Sequence, residues 1–214
     1  MNDPFVILIT GASGTGKTTL GQRLAGDLDL PFISRDAVKE LLFDALGWSD
    51  RAWARKLGAA SYPLLYYTFE QLLHARASCV IESNFSPNIA TRELQALRVS
   101  YPFSLIQIIC TTKWEDRLAR VLWRVQDTRR HPGHAEYTAL SSKRPSIRMA
   151  AYTFLKISAY LRWRRMNADL RQDWRLAIEG DIIHVDTTDF GDADYHQLLD
   201  RIKAMIGVKT PRTR

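Results

Sequence analysis

The sequence predicts an α/β protein built on a parallel sheet, and three observations predict it. Five short apolar runs lack the polar alternation of a half-exposed strand, which is the pattern of strands buried on both faces. Helical periodicity fills the stretches between them, so the order reads β-α-β-α. The first run, Phe5-Val6-Ile7-Leu8-Ile9-Thr10, leads directly into the glycine-rich turn Gly11-Ala12-Ser13-Gly14-Thr15-Gly16-Lys17-Thr18.

The elements follow in order. A helix after the turn aligns Leu20, Leu24 and Leu28, and a second strand is expected at Pro31 to Ser34. The next helix puts Val38, Leu41, Leu42 and Ala45 on one face, and both helices are expected to cover the sheet. Residues 48–77 read as a helical insertion with a break near Gly58 to Pro63, because proline removes a backbone donor. Strand three is Cys79 to Glu82, and Ser86-Pro87 opens a helix with a capping residue before a proline. Strand four is Phe103 to Cys110, followed by a helix from Trp114 to Gln126. The rhythm stops at Asp127 to Tyr137, where Arg129-Arg130-His131-Pro132-Gly133-His134 reads as a loop. A basic segment from Ala139 to Glu179 precedes strand five, Asp181 to Asp186, and a final helix stopped by Gly207.

Composition bounds the function classes. With 214 residues, 46% apolar and 25% charged, the chain is expected to form a single domain over 1–214 and is not of a collagenous or disordered class. Cys79 and Cys110 each sit inside an apolar run, so they read as small core residues rather than a disulfide or metal pair. No basic, apolar leader opens the chain, so a cytoplasmic location is expected. The net charge of +7 is uneven: Lys113 to Arg175 holds 15 Lys and Arg against 6 Asp and Glu. That half faces an anion, such as a nucleotide, a nucleic acid or a phosphorylated metabolite, or else it is a solvated basic surface.

Gly11 to Thr18 matches the P-loop pattern in full, and physics requires these residue types there. Glycines let successive N–H groups turn inward on an anion, and the helix that follows adds its positive N-terminus. The loop residues Gly11, Ala12, Ser13, Gly14, Thr15 and Gly16, with Lys17, Thr18 and Thr19, are therefore the candidate nucleotide-binding set. Lys17 reaches the β and γ phosphates, and the Thr18 hydroxyl is a ligand for Mg²⁺.

The carboxyl ends of the strands form the ligand crevice in open α/β sheets. Asp36, just past strand two, either accepts the proton of an attacking hydroxyl or caps a helix beginning at Ala37. Glu82 ends strand three and is placed to hold Mg²⁺ directly or through water, while Asn84 either holds substrate or satisfies local backbone. Arg117, Arg120 and Arg124 share one helix face leading to Arg129-Arg130, a row that either clamps phosphoryl charge or is merely solvated.

Taken together, Gly11 to Thr18, Ser34-Arg35-Asp36, Glu82-Ser83-Asn84 and the arginine row resemble the P-loop kinases related to the 5′-kinase domain of phage-type polynucleotide kinase. Zeta toxin and chloramphenicol phosphotransferase are more distant relatives. The resemblance covers about residues 5–134. It implies a P-loop NTPase fold with a five-stranded parallel sheet and a mobile basic lid, here about 127–137. It implies Asp36 as general base, Lys39 as a phosphate contact, and Arg120 and Arg124 as nucleotide contacts. The family's third strand ends in Asp followed by Asn, where this chain has Glu82 and Asn84. Arg130 to His134 resembles the lid motif of predicted kinases in the group.

The expectation is thus an ATP- and Mg²⁺-dependent kinase acting on a hydroxyl acceptor. Lys17, Asp36, Arg120, Arg124 and Arg130 are its catalytic candidates, Arg35, Lys39 and Asn84 its substrate contacts, and Thr18 and Glu82 its metal ligands. The acceptor is expected to be a small molecule. A polynucleotide 5′-hydroxyl, a nucleoside monophosphate held by Arg51, Arg55 and Lys56, and a switch protein that transfers nothing are the alternatives. A monomer or homodimer without membrane contact is expected.

Overall fold

The five apolar runs are the five strands of one parallel sheet in the computed structural model, which describes residues 3–126, 131–134 and 173–207. In chain order they are β1 (Phe5–Gly11), β2 (Phe32–Ser34), β3 (Cys79–Glu82), β4 (Ser104–Thr111) and β5 (Asp181–Asp186). The helices are α1 (Lys17–Asp27), α2 (Arg35–Leu46), α3 (Arg51–His74), α4 (Pro87–Ser100), α5 (Trp114–Gln126) and α6 (Asp192–Met205). The sheet order is β2-β3-β1-β4-β5, so β1 is central and the chain steps to opposite sides of it. Ile9 pairs with Glu82, Ser34 also pairs with Glu82, and Gly11 pairs with Cys110. This register gathers the carboxyl ends of four strands around the glycine-rich turn, where such a sheet binds ligands.

Alternate residues of β1 feed two apolar layers, as the two-residue strand period requires. Val6 and Leu8 pack with Leu65, Phe69, Leu73 and Leu94 from α3 and α4. Ile7 and Ile9 pack with Leu20 and Leu24 of α1 and with Leu198 and Ile202 of α6. Each such side chain contributes about 1.5–3 kcal/mol by leaving water. Truncating the fully buried Phe69 to alanine would cost about 3–5 kcal/mol. Cys79 and Cys110 are free and buried among these layers, and burial pushes both thiols up to about 12, which leaves them as inert core residues.

Two expectations require correction. The insertion at 48–77 contains no break: α3 runs unbroken from Arg51 to His74 with Pro63 inside it. Ala54, Leu57, Ser61, Leu65, Phe69 and Leu73 form a buried stripe at helical spacing that holds the two halves in line. Pro63 and Ala59, whose carbonyl loses its helical donor, both lie on the solvent side, where the freed carbonyl is open to water.

The second correction concerns α2, which does not lay its Leu41 face on the sheet. Leu41 is 67% exposed, and the helix buries Phe43 instead, against Ala54 and Leu57 of α3. The α2–α3 pair therefore forms its own small core beside the sheet. This keeps the first turn of α2 at the crevice edge. As expected, α4 begins at Pro87 with Ser86 as N-cap, although the Ser86 side chain makes no capping bond.

Candidate active site

The loop after β1 turns through Gly11, Gly14 and Gly16, which have φ of 137°, 86° and 76°. A side chain could not replace the first: a Cβ on Gly11 would lie 2.2 Å from the Cys110 carbonyl oxygen. The loop delivers Lys17 to the start of α1, and the Lys17 ammonium crosses back to donate to the Ala12 carbonyl at 2.8 Å. Lys17 is only 5% exposed, so its charge is held within the turn beside the N-terminus of α1.

Glu82 is the acidic counterpart. It is 4% exposed, and its Oε2 accepts from the Thr18 hydroxyl at 3.2 Å and from the Ser34 hydroxyl at 2.7 Å. Burial raises its pKa above the usual carboxylate range, Lys17 and the two hydroxyls pull it back, and the charge of Asp36 pushes it further up. A buried carboxylate beside a hydroxyl and a phosphate-binding turn is an oxygen donor set suited to Mg²⁺. Thr18 and Glu82 therefore fit a magnesium ion. Among the described residues, no group of three or more His, Cys, Asp or Glu is arranged to hold a metal.

Asp36 lies in the first turn of α2, and that helix begins at Arg35 with Ser34 as N-cap. The alternative in which Asp36 caps a helix starting at Ala37 is thereby overturned, because the cap position is two residues earlier. The Asp36 side chain is 54% exposed and meets Arg35 Nη2 at 3.1 Å through Oδ1. Arg35 Nη1 donates to the Tyr62 hydroxyl at 3.2 Å, and that hydroxyl donates to the Asn84 carbonyl at 3.2 Å. Arg35, Asp36 and Asn84 are thus joined through Tyr62 of α3. Lys39, one turn further along α2, lies over the Phe43 ring and against Gly58.

Arg120 is brought to the nucleotide loop, but its guanidinium is engaged by protein. It donates to the Thr187 hydroxyl at 3.0 Å, to the Thr187 carbonyl, and to the Thr188 carbonyl at 3.3 Å. The Thr187 hydroxyl is also 3.0 Å from both the Thr15 and Thr111 carbonyls. Arg120 therefore braces the β5–α6 connection against the P-loop. Arg124 belongs to α5. Arg130 lies outside the described residues, as do 127–129 and 135–137 of the expected lid.

His131 to His134 sit on α2. His131 Nδ1 accepts from the Gly133 N–H at 2.9 Å, which puts its ring proton on Nε2, 3.1 Å from Asp44 Oδ1. His134 Nε2 is 2.8 Å from Glu40 Oε1, and Phe43 stacks on the His131 ring at 5.0 Å. Sequence reasoning missed Ser34, Tyr62, Thr187, Glu40 and Asp44. The one available signal was the position of Ser34 at a strand terminus beside Glu82.

The profile of a family described as AAA domain matches residues 6–145. The chain belongs to this AAA domain family. Its fold is similar to that of a candidate kinase from Chloroflexus aurantiacus J-10-fl, with 32% identity and a TM-score of 0.73 over 95% of this chain and 98% of that one. A sugar kinase from Janibacter sp. HTCC2649 aligns at 16% identity and a TM-score of 0.49 over 96% of this chain and 95% of the other. A gluconokinase from Sinorhizobium meliloti 1021 aligns at 16% identity and a TM-score of 0.45, over 97% and 98%. No curated protein matches the chain. No helix of this AAA domain protein, among the described residues, is long and apolar enough to cross a membrane.

Proposed function

We propose that the protein is an ATP-dependent phosphotransferase that moves the γ-phosphoryl group of ATP to the hydroxyl of a small-molecule acceptor. The observation that carries this reading is Asp36, a half-exposed carboxylate at the crevice edge that is close enough to Glu82 to raise its pKa. A nucleotide-dependent switch has no use for a base there, whereas a hydroxyl acceptor needs one. Similarity to the Chloroflexus aurantiacus candidate kinase, at 32% identity over 95% of this chain, supports the same reading.

The roles follow from position. The loop amides and Lys17 hold the β and γ phosphates. Thr18 and Glu82 hold Mg²⁺, which supplies neutralisation of the charge on the transferring group. Asp36 accepts the acceptor's proton as the new O–P bond forms and the bond to the ADP oxygen breaks. Arg124 and Arg130 complete the clamp, Arg120 steadies the nucleotide loop through Thr187 instead of joining them, and Arg35, Lys39 and Asn84 face the acceptor.

The deciding experiment is transfer of radiolabelled γ-phosphate across polyols, sugars, amino alcohols and oligonucleotides, with and without EDTA. Label on a small hydroxyl compound, lost with EDTA and restored by Mg²⁺, is the expected result. Label on oligonucleotides, with KM rising steeply with salt, would point to a polynucleotide kinase. Release of inorganic phosphate alone would indicate a switch.

A further inference from the structure

Arg35 carries a guanidinium with two edges, each able to meet an anion through two parallel N–H bonds. One edge is fixed by protein. Nη1 donates to the Tyr62 hydroxyl at 3.2 Å, the guanidinium carbon lies 5.0 Å from the Tyr62 ring centroid, and Tyr62 is tethered to the Asn84 carbonyl. Three elements, α2, α3 and the connection after β3, therefore hold the plane of Arg35 in place.

The opposite edge is unmatched. Nη2 meets Asp36 at 3.1 Å, but Nε is buried and has no hydrogen-bond partner among the described residues. An orphaned buried donor on a partly buried cation is destabilising and calls for an explanation in function. Arg35 is 18% exposed in its side chain, while Asp36, which borders the unmatched edge, is 54% exposed and can yield its place.

We propose that the acceptor carries an oxyanion, a carboxylate or a phosphate, that is received by the Nε–Nη2 edge of Arg35. The proposal rests on the phosphotransferase reading and names the acceptor class within it. An oxyanion in fork geometry satisfies Nε, takes Nη2 from Asp36, and anchors the acceptor next to that carboxylate. A neutral acceptor does none of this. No further reactant is needed: the acceptor oxygen bonds to phosphorus, the bond to the ADP oxygen breaks, and the proton passes to Asp36.

The test uses the full chain with saturating Mg-ATP and matched acceptors: gluconate against glucose, glycerate against glycerol, and ribose 5-phosphate against ribose. ADP release gives kcat/KM for each. At least one anionic member is expected to exceed its neutral twin by about tenfold or more, the worth of a charged hydrogen-bonded pair. The carboxylate and phosphate arms tell the two oxyanions apart. Lysine keeps the charge without the fork, so Arg35→Lys is expected to bring that ratio close to one, with KM for ATP within about twofold of wild type. Tyr62→Phe, which keeps the ring and removes the tether, should lower the same ratio in a variant with an intact core.

Neutral twins used as well as the anionic members would overturn the oxyanion proposal and leave the phosphotransferase standing. A ratio unchanged in Arg35→Lys would remove Arg35 from acceptor binding. ATP bound but never transferred, in this panel and in the wider screen, would overturn the phosphotransferase reading itself.

Discussion

Thr18 and Glu82 are 64 residues apart in sequence, and the hydroxyl of one donates to the carboxylate of the other at 3.2 Å. The bond joins the first turn of α1 to the end of β3, so the nucleotide loop and its acidic partner are held by the central sheet. It also keeps an ionisable group buried, which affects stability in a measurable way.

Burial raises the Glu82 pKa, so the folded protein binds that proton more tightly than the unfolded chain does. Stability should then fall as pH rises from the ordinary carboxylate value, about 4.3, through the raised folded value, and stay level above it. In Glu82→Gln the amide oxygen can still accept from Thr18 and Ser34 without a charge. Metal-free Glu82→Gln should therefore melt higher than wild type at pH 8, and the advantage should vanish near pH 4. Its Mg²⁺-dependent turnover should fall by about 10²-fold or more, the scale of a lost charge-stabilising group. A lower melting temperature than wild type at pH 8 would contradict the desolvation argument.

Thr187 supports the nucleotide loop from the other side, with its hydroxyl 3.0 Å from the Arg120 guanidinium and from the Thr15 carbonyl. Thr187→Val keeps the shape and removes these bonds. The expected loss is about 1–3 kcal/mol for buried groups left unpaired. That corresponds to roughly 2–4 °C of melting temperature per kcal/mol. ATP affinity, read by titration, should weaken in parallel because the loop loses its brace. Reduced stability with unchanged ATP affinity would separate Thr187 from the site.

The reach of the sequence differed from element to element for physical reasons. β3 and β5 have the boundaries their apolar runs predict: β3 is buried throughout, while β5, at the sheet edge, buries Ile183 and Val185 and exposes the residue between them and those at its two ends. The P-loop was legible because its chemistry demands fixed residues at fixed spacing. Pro63 misled, because the buried stripe on α3 outweighs one missing bond on the solvent side. Leu41 misled because helical periodicity specifies a face without saying what that face will meet. Ser34, Tyr62 and Thr187 were missed because each acts through a partner distant in the chain, which no local pattern encodes.

Gly133 fixes the docking of His131 to His134 on α2. A Cβ there would lie 2.7 Å from Phe43 Cγ and 2.9 Å from His131 Nδ1. Since Phe43 is buried, Gly133→Ala should cost about 1–3 kcal/mol, as overpacked sites do. Hydrogen exchange should speed up in α2 around Glu40 to Asp44, which hold the two histidines. Leu41→Ala, on the exposed face of the same helix, should change stability by no more than about 0.5 kcal/mol. Equal exchange in Gly133→Ala and wild type would mean that the segment does not steady α2.

The last prediction concerns Asp36, on which the choice between phosphotransferase and nucleotide binder turns. With Ser34 as the N-cap and Arg35 as the first helical residue, Asp36 is not needed to end the helix. Its structural contributions include a carboxylate in the first turn, worth about 0.3–1 kcal/mol against the helix dipole, and a half-exposed ion pair with Arg35 of similar worth. Asp36→Asn keeps the shape and loses the base, so the melting temperature should hardly move. As general base, Asp36 contributes about 10²- to 10⁴-fold to the transfer rate. At about 1.4 kcal/mol per tenfold, that is roughly 3–5 kcal/mol of barrier, well above the structural contribution. Single-turnover transfer should therefore collapse in Asp36→Asn while an ATP titration stays near wild type. A retained rate would remove Asp36 from the chemistry. A lost ATP affinity would instead move it into the shell around Glu82, whose pKa its charge already raises.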